Sequence, residues 1–168
     1  MNRTTLLTTM AVFVAIGTLG SHLLWFPAGI AKAYPVQHAV NVMAAVLLGP
    51  GPAVIIAGMI ALIRNMLGLG TLLAFPGGMI GAFVAGYFYK NFKKVGWAAL
   101  GEAIGTGLIG SLFSVPFAKV LMGSSVGALF FMPSFLTSSM TGALIGWILA
   151  ARLQKTNTFQ HMTTRSSS

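Results

Sequence analysis

Apolar runs of helical length fill this chain, and polar residues gather mostly in the gaps between them. The runs fall at about residues 5–26, 36–48, 53–67, 75–90, 95–115 and 128–151. Their length and uniform hydrophobicity predict six helices. The sharpest break is Gly49-Pro50-Gly51-Pro52, because proline lacks an amide donor and clashes with the preceding turn. It leaves the second helix short of the roughly 20 residues that span hydrocarbon, so that helix is expected to be tilted, extended into the headgroups or shielded by neighbours. A second break, at Gly68 and Gly70, follows an arginine and an asparagine set in an apolar pattern, Arg64 and Asn65. Pro116, with Lys119, Gly123, Ser124 and Ser125 after it, makes residues 116–127 read as a loop or broken helix. Residues 154–168 read as a polar, disordered tail.

Composition decides what kind of helices these are. The 168 residues are 56% hydrophobic and 7% charged, with a mean hydropathy of +0.86. An average soluble domain carries roughly 25% charged residues, so this chain cannot cover itself with polar surface. It reads as an all-α integral membrane protein whose single domain, residues 1–153, is the membrane domain. Trp25 and Phe26 close the first run as an aromatic anchor, and no small-residue cleavage site follows its core, so it reads as a retained helix rather than a signal peptide.

The net charge of +9 comes from ten Lys and Arg against one acid, Glu102. The cations sit at the ends of apolar runs, where they orient the chain and meet anionic headgroups; nucleic acid is an improbable partner. With six spans, seven cations fall on the side of the termini and two, Lys32 and Lys119, on the other, which puts both termini in the cytoplasm. Tyr34, His38, Asn41, Arg64, Asn65 and Thr71 then fall in the outer half, where a pocket opening outward is the inference.

The candidate chemistry is sparse, and each part has a plainer reading beside it. His38 and Asn41 lie three apart on one helix face and either meet a ligand or bond helix to helix. Arg64 is an intramembrane cation, which needs a partner, yet it also suits a helix C-terminus. Glu102 must be paired, most simply with Arg64, or protonated. Ser134, Thr137, Ser138 and Thr141 form one polar stripe on the last helix, although hydroxyls can bond their own backbone instead. In the first helix Ala11 and Ala15, continued by Thr18 and His22, would admit a close helix partner or serve internal packing.

Several activities lack residues. The chain has no Gly-Lys pair, hence no phosphate loop with which to use ATP. It has no cysteine, no His-Glu-x-x-His and no carboxylate pair, so thiol, zinc-protease and paired-acid chemistry find no support, and no metal or cofactor is expected. No inverted repeat is evident either, which disfavours a self-sufficient carrier. A small membrane enzyme or a structural subunit stays open as an alternative.

Ala11 and Ala15, Leu48-Gly49-Pro50 and the block from Ile63-Arg64-Asn65 through Phe75-Pro76-Gly77-Gly78 to Gly81-Ala82 resemble one family. It is the ThiW group among the substrate-binding S components of energy-coupling factor (ECF) vitamin transporters. The resemblance covers most of residues 5–153. It implies a subunit of a prokaryotic plasma membrane that is not an enzyme and binds hydroxyethylthiazole, or thiamin or a related precursor, from outside. A membrane coupling subunit and two ATPases would supply the energy. It further implies that Ala11 and Ala15 face the coupling subunit, which would put His22 at that surface too. Arg64, Asn65, His38 or Asn41 would then meet the ligand's polar atoms, with Tyr34 or Phe75 stacking on its ring and Thr137 and Ser138 nearby.

Overall fold

The computed structural model describes residues 1–28, 31–123 and 127–155. Helix α1 (Arg3–Leu23) begins at an Asn2 cap whose side chain accepts from the Thr5 amide. Strands β1 (Phe26–Ala28) and β2 (Ala31–Ala33) follow, paired antiparallel with Phe26 opposite Ala33. This hairpin corrects the expected first span of 5–26: Phe26 and Tyr34 each precede a proline, which disfavours the helical region for both.

Helix α2 (Pro35–Leu48) and helix α3 (Pro50–Met66) are separated by Gly49 alone, at φ 89°. Only glycine takes that conformation freely, which is why so tight a reversal is possible. Helix α3 starts three residues before the expected 53, since Pro50 and Pro52 fall in a first turn whose amides have no helical partner anyway. After a loop with Gly68 at φ 69°, helix α4 (Ala74–Phe92) runs to Lys93 in the left-handed region, and helix α5 (Val95–Ile104) begins at once.

Beyond α5 the sequence expectation needs a second correction. The helix continues through a π-helical turn (Gly105–Gly110) into α6 (Ser111–Met122), with Pro116 inside it; residues 124–126 of the expected loop lie outside the described residues. The wider turn disturbs the regular hydrogen-bond ladder, and nearby hydroxyls take up its carbonyls: Ser111 Oγ donates to Leu108 O and Ser114 Oγ to Gly110 O, both at 2.8 Å. Such local repair is how helices inside a bilayer tolerate proline. Helix α7 (Ala128–Gln154) closes the described fold, and residues 156–168 of the expected tail lie outside it.

The protein is an all-helical multi-pass membrane protein, apart from the short hairpin. Among the described residues three stretches, Arg3–Leu23, Val95–Val120 and Leu129–Gln154, are long and apolar enough to cross a membrane, and α2 and α3 are shorter apolar helices. The short α2 is the axis of the bundle: α1, α3, α4, α5 and α7 all pack against it, and most of its residues are buried. Of the ways to accommodate its length, shielding by neighbours is realised.

Small residues set the spacing. A Cβ on Gly101, Gly105 or Gly110 would come within 2.7–2.9 Å of the Cα of Ala85, Gly81 or Gly77, so α4 meets the α5–π segment backbone to backbone. On the other side of α2, a Cβ on Gly146 would lie 2.8 Å from Ala39 O. Close approach of this kind substitutes for the hydrophobic drive that lipid cannot supply between helices. Large apolar residues such as Leu19, Phe83 and Leu144 point outward instead.

Candidate functional site

Tyr34, Gln37, His38 and Asn41 follow one another at helical spacing along the start of α2 and make one polar stripe on a buried helix. The stripe serves a cavity of about 580 Å³ at the end of the bundle opposite residues 3 and 155. Tyr34, Gln37, His38 and Arg64 give it a polar wall, and Phe130, Phe131 and Phe135 of α7 an aromatic one. At the hairpin, the Lys32 ammonium stands 4.0 Å over the Trp25 ring, and both residues reach the cavity.

Arg64 is 2% exposed. Its Nη1 donates to Gln37 Oε1, its Nη2 donates to Leu69 O at 3.0 Å, and its guanidinium carbon lies 3.8 Å from the centroid of the Tyr34 ring. A desolvated cation on an aromatic face gains about 2 kcal/mol. Asn65, beside it, acts locally, since its amide donates to Ala61 O at 2.8 Å and to Thr71 O at 3.1 Å and so ties the end of α3 to the loop.

Glu102 is fully buried and is not paired with Arg64. Its Oε1 lies 2.7 Å from His38 Nδ1, accepts from Asn41 Nδ2 at 3.0 Å, and lies 3.0 Å from Thr106 Oγ1, whose proton it shares with Gly77 O. Asn41 also donates to Gly78 O. These contacts offset part of the cost of burying the side-chain carboxylate. The π turn carries Thr106 to the carboxylate, and a Cβ on Gly81 would lie 2.0 Å from Thr106 Oγ1. Geometry thus prefers His38 to Arg64 as the partner, because α2 and α5 are neighbours while Arg64 stands at the end of α3 beside Gln37.

The hydroxyl stripe of α7 divides in two. Ser134 Oγ donates to Ala28 O at 2.6 Å and Ser138 Oγ accepts from Tyr34 N at 2.8 Å, so these two hold the hairpin and the start of α2 to α7, and both line the cavity. Thr137 and Thr141 bond carbonyls of their own helix and are not among the lining residues.

Of the residues singled out in the sequence, Tyr34, His38, Arg64, Thr71 and Ser138 line the cavity, whereas Asn41, Asn65, Phe75 and Thr137 do not. Asn41 is one layer behind, on Glu102. His22, expected at the partner surface with Ala11 and Ala15, lines the cavity mouth instead, because it lies two turns beyond Ala15 where α1 approaches the hairpin. Gln37, Thr106 and the three phenylalanines escape the sequence reading. Gln37 falls three residues after Tyr34 and four before Asn41, and Thr106 four after Glu102, so helical spacing carries a signal for both.

A multi-pass helical bundle that encloses a small-molecule cavity, polar on one wall and aromatic on the other, defines a membrane-embedded solute-handling protein. The chain belongs to the thiamine-precursor transporter family ThiW: residues 7–156 match the family described as "Thiamine-precursor transporter protein (ThiW)". No curated protein matches the chain.

Proposed function

We propose that this protein is the substrate-binding S subunit of an ECF-type importer and captures hydroxyethylthiazole from outside the cell. The observation that carries this reading is the cavity of about 580 Å³ with its buried Arg64, Gln37 and His38. Such a volume suits a small ligand, since small-molecule pockets run from about 300 to 1,000 Å³. A small ring with a nitrogen, a sulfur and a hydroxyl arm asks for an aromatic wall and a few polar atoms. Tyr34, His38, Arg64 and Ser138 are the proposed contacts, with the α7 phenylalanines beside the ring.

The membrane domain of residues 1–153 sits in a prokaryotic plasma membrane with six spans and cytoplasmic termini, counting α5, the π turn and α6 as one span. The charge bias toward the terminal end supports that orientation. Energy comes from two ATPase subunits through a coupling subunit, in keeping with the missing phosphate loop. Ala11 and Ala15 are exposed and line an apolar groove between α1 and α3, walled by Met10, Ile55 and Met59, which is the proposed seat of the coupling subunit.

Binding of hydroxyethylthiazole and of thiamin to the purified protein in detergent, without ATP, tests the reading. Submicromolar binding of the thiazole alone is the expected result. Preference for thiamin would reassign the ligand, and binding of neither would overturn the substrate. Replacing Ala11 and Ala15 by Leu is expected to abolish copurification with the coupling and ATPase subunits while ligand binding persists; assembly that survives would move the partner surface elsewhere.

A further inference from the structure

Helix hydroxyls in this protein mostly settle on their own backbone: Ser111, Ser114, Thr137 and Thr141 all donate to a carbonyl three or four residues earlier. Such back-bonding is the ordinary fate of a hydroxyl in an apolar helix. Ser21 departs from it. Its residue is 0% exposed, its Oγ has no hydrogen-bond partner among the described residues, and it lines the cavity.

A second polar atom on the same cavity is in the same condition. Nη1 and Nη2 of Arg64 are taken by Gln37 and Leu69, but its Nε has no partner among the described residues. The two atoms belong to one wall. Helices α1 and α3 run in the same direction and touch where a Cβ on Gly17 would lie 2.3 Å from Ile60 Cδ1. Ser21 and Arg64 are each four residues further on, about one turn above that contact. Five buried side-chain polar atoms have no partner among the described residues, and of these only Ser21 Oγ and Arg64 Nε belong to residues that line this cavity, which points to a ligand atom that completes both. The acceptors offered to Arg64 by the described residues are neutral, because the chain's single carboxylate is engaged with His38. An electron-rich oxygen is the group such a corner selects.

We propose that Ser21 and Arg64 Nε form the subsite for the ligand's oxygen substituent. In the hydroxyethylthiazole reading, on which this rests, the arm's hydroxyl oxygen accepts from Arg64 Nε–H and donates its own proton to Ser21 Oγ. Ser21 is thereby a specificity-determining residue, separating the hydroxylated thiazole from analogues that lack the oxygen.

The test titrates two ligands, hydroxyethylthiazole and the same thiazole with an ethyl arm, against the wild-type protein and Ser21→Ala. Wild type is expected to prefer the hydroxyethyl compound, and Ser21→Ala to weaken that compound by about tenfold while leaving the ethyl compound unchanged, with the same unfolding midpoint. Equal weakening of both ligands, or of neither, would overturn the subsite and leave the thiazole reading intact. A lowered midpoint would show that the hydroxyl serves the fold, and would overturn the subsite too. If wild type binds neither compound, the substrate reading fails first and the subsite with it.

Discussion

Two buried charges divide this protein's polar interior. Around Glu102, α2, α4 and the π turn close in so that one carboxylate oxygen meets His38, Asn41 and Thr106 together. Around Arg64 the partners are an amide oxygen, a backbone carbonyl and an aromatic face, none carrying negative charge, and the side chain lines the cavity. The first cluster joins helices through Glu102 Oε1, while Glu102 Oε2 and Asn41 Oδ1 have no partner among the described residues. The second holds a cation ready and lacks one partner at Nε. In the proposed reading the first cluster serves the fold and the second the ligand, since Glu102 meets His38 within the protein while Arg64 lines the cavity without a carboxylate partner.

Breaking the Glu102 cluster is expected to have the largest effect on stability. Glu102→Ala leaves His38 and Asn41 buried without their acceptor and is expected to cost about 3–5 kcal/mol, read as a lower unfolding midpoint in detergent. A well-folded variant with lost affinity would instead move Glu102 into the binding site. Gly81→Ala attacks the same cluster through packing: its Cβ would lie 2.0 Å from Thr106 Oγ1, and the overpacking is expected to cost about 1–3 kcal/mol in the same assay.

The opposite signature is expected at the other charge. Arg64→Met keeps an apolar stem of similar reach, so ligand affinity is expected to fall by about 10- to 100-fold while the midpoint moves less than in Glu102→Ala. Equal losses in the two variants would erase the distinction between the clusters. The mildest change is Ser134→Ala, which removes one hydrogen bond between α7 and the hairpin at Ala28 O. About 1 kcal/mol is expected, visible as faster hydrogen exchange in the hairpin, with the Glu102 cluster undisturbed.

Much of this was legible along the chain, and the failures share a cause. Apolar run length located the helices, and Gly49-Pro50 located the tightest turn, because those signals act within a few residues. Tyr34, His38 and Arg64 stood out as polar residues in apolar surroundings and reached the cavity. Phe75 and Thr137 looked equally suitable, but their orientation depends on how α4 and α7 are rotated in the bundle, which hydropathy does not record. Pro116 misled for a similar reason: a local rule predicts a break, and hydroxyls at Ser111 and Ser114 beside a π turn keep the helix whole.

Helical membrane character, a single acidic side chain and the lack of a phosphate loop for using ATP can be read directly along the chain. Those properties follow from composition and local spacing. Which polar groups meet depends on the assembled bundle: Glu102 and His38 are 64 residues apart, and Ser134 and Ala28 are 106 apart. Their meeting depends on small residues that let helices approach to backbone contact, and helix rotation and depth are set by packing across the whole bundle rather than by any one segment.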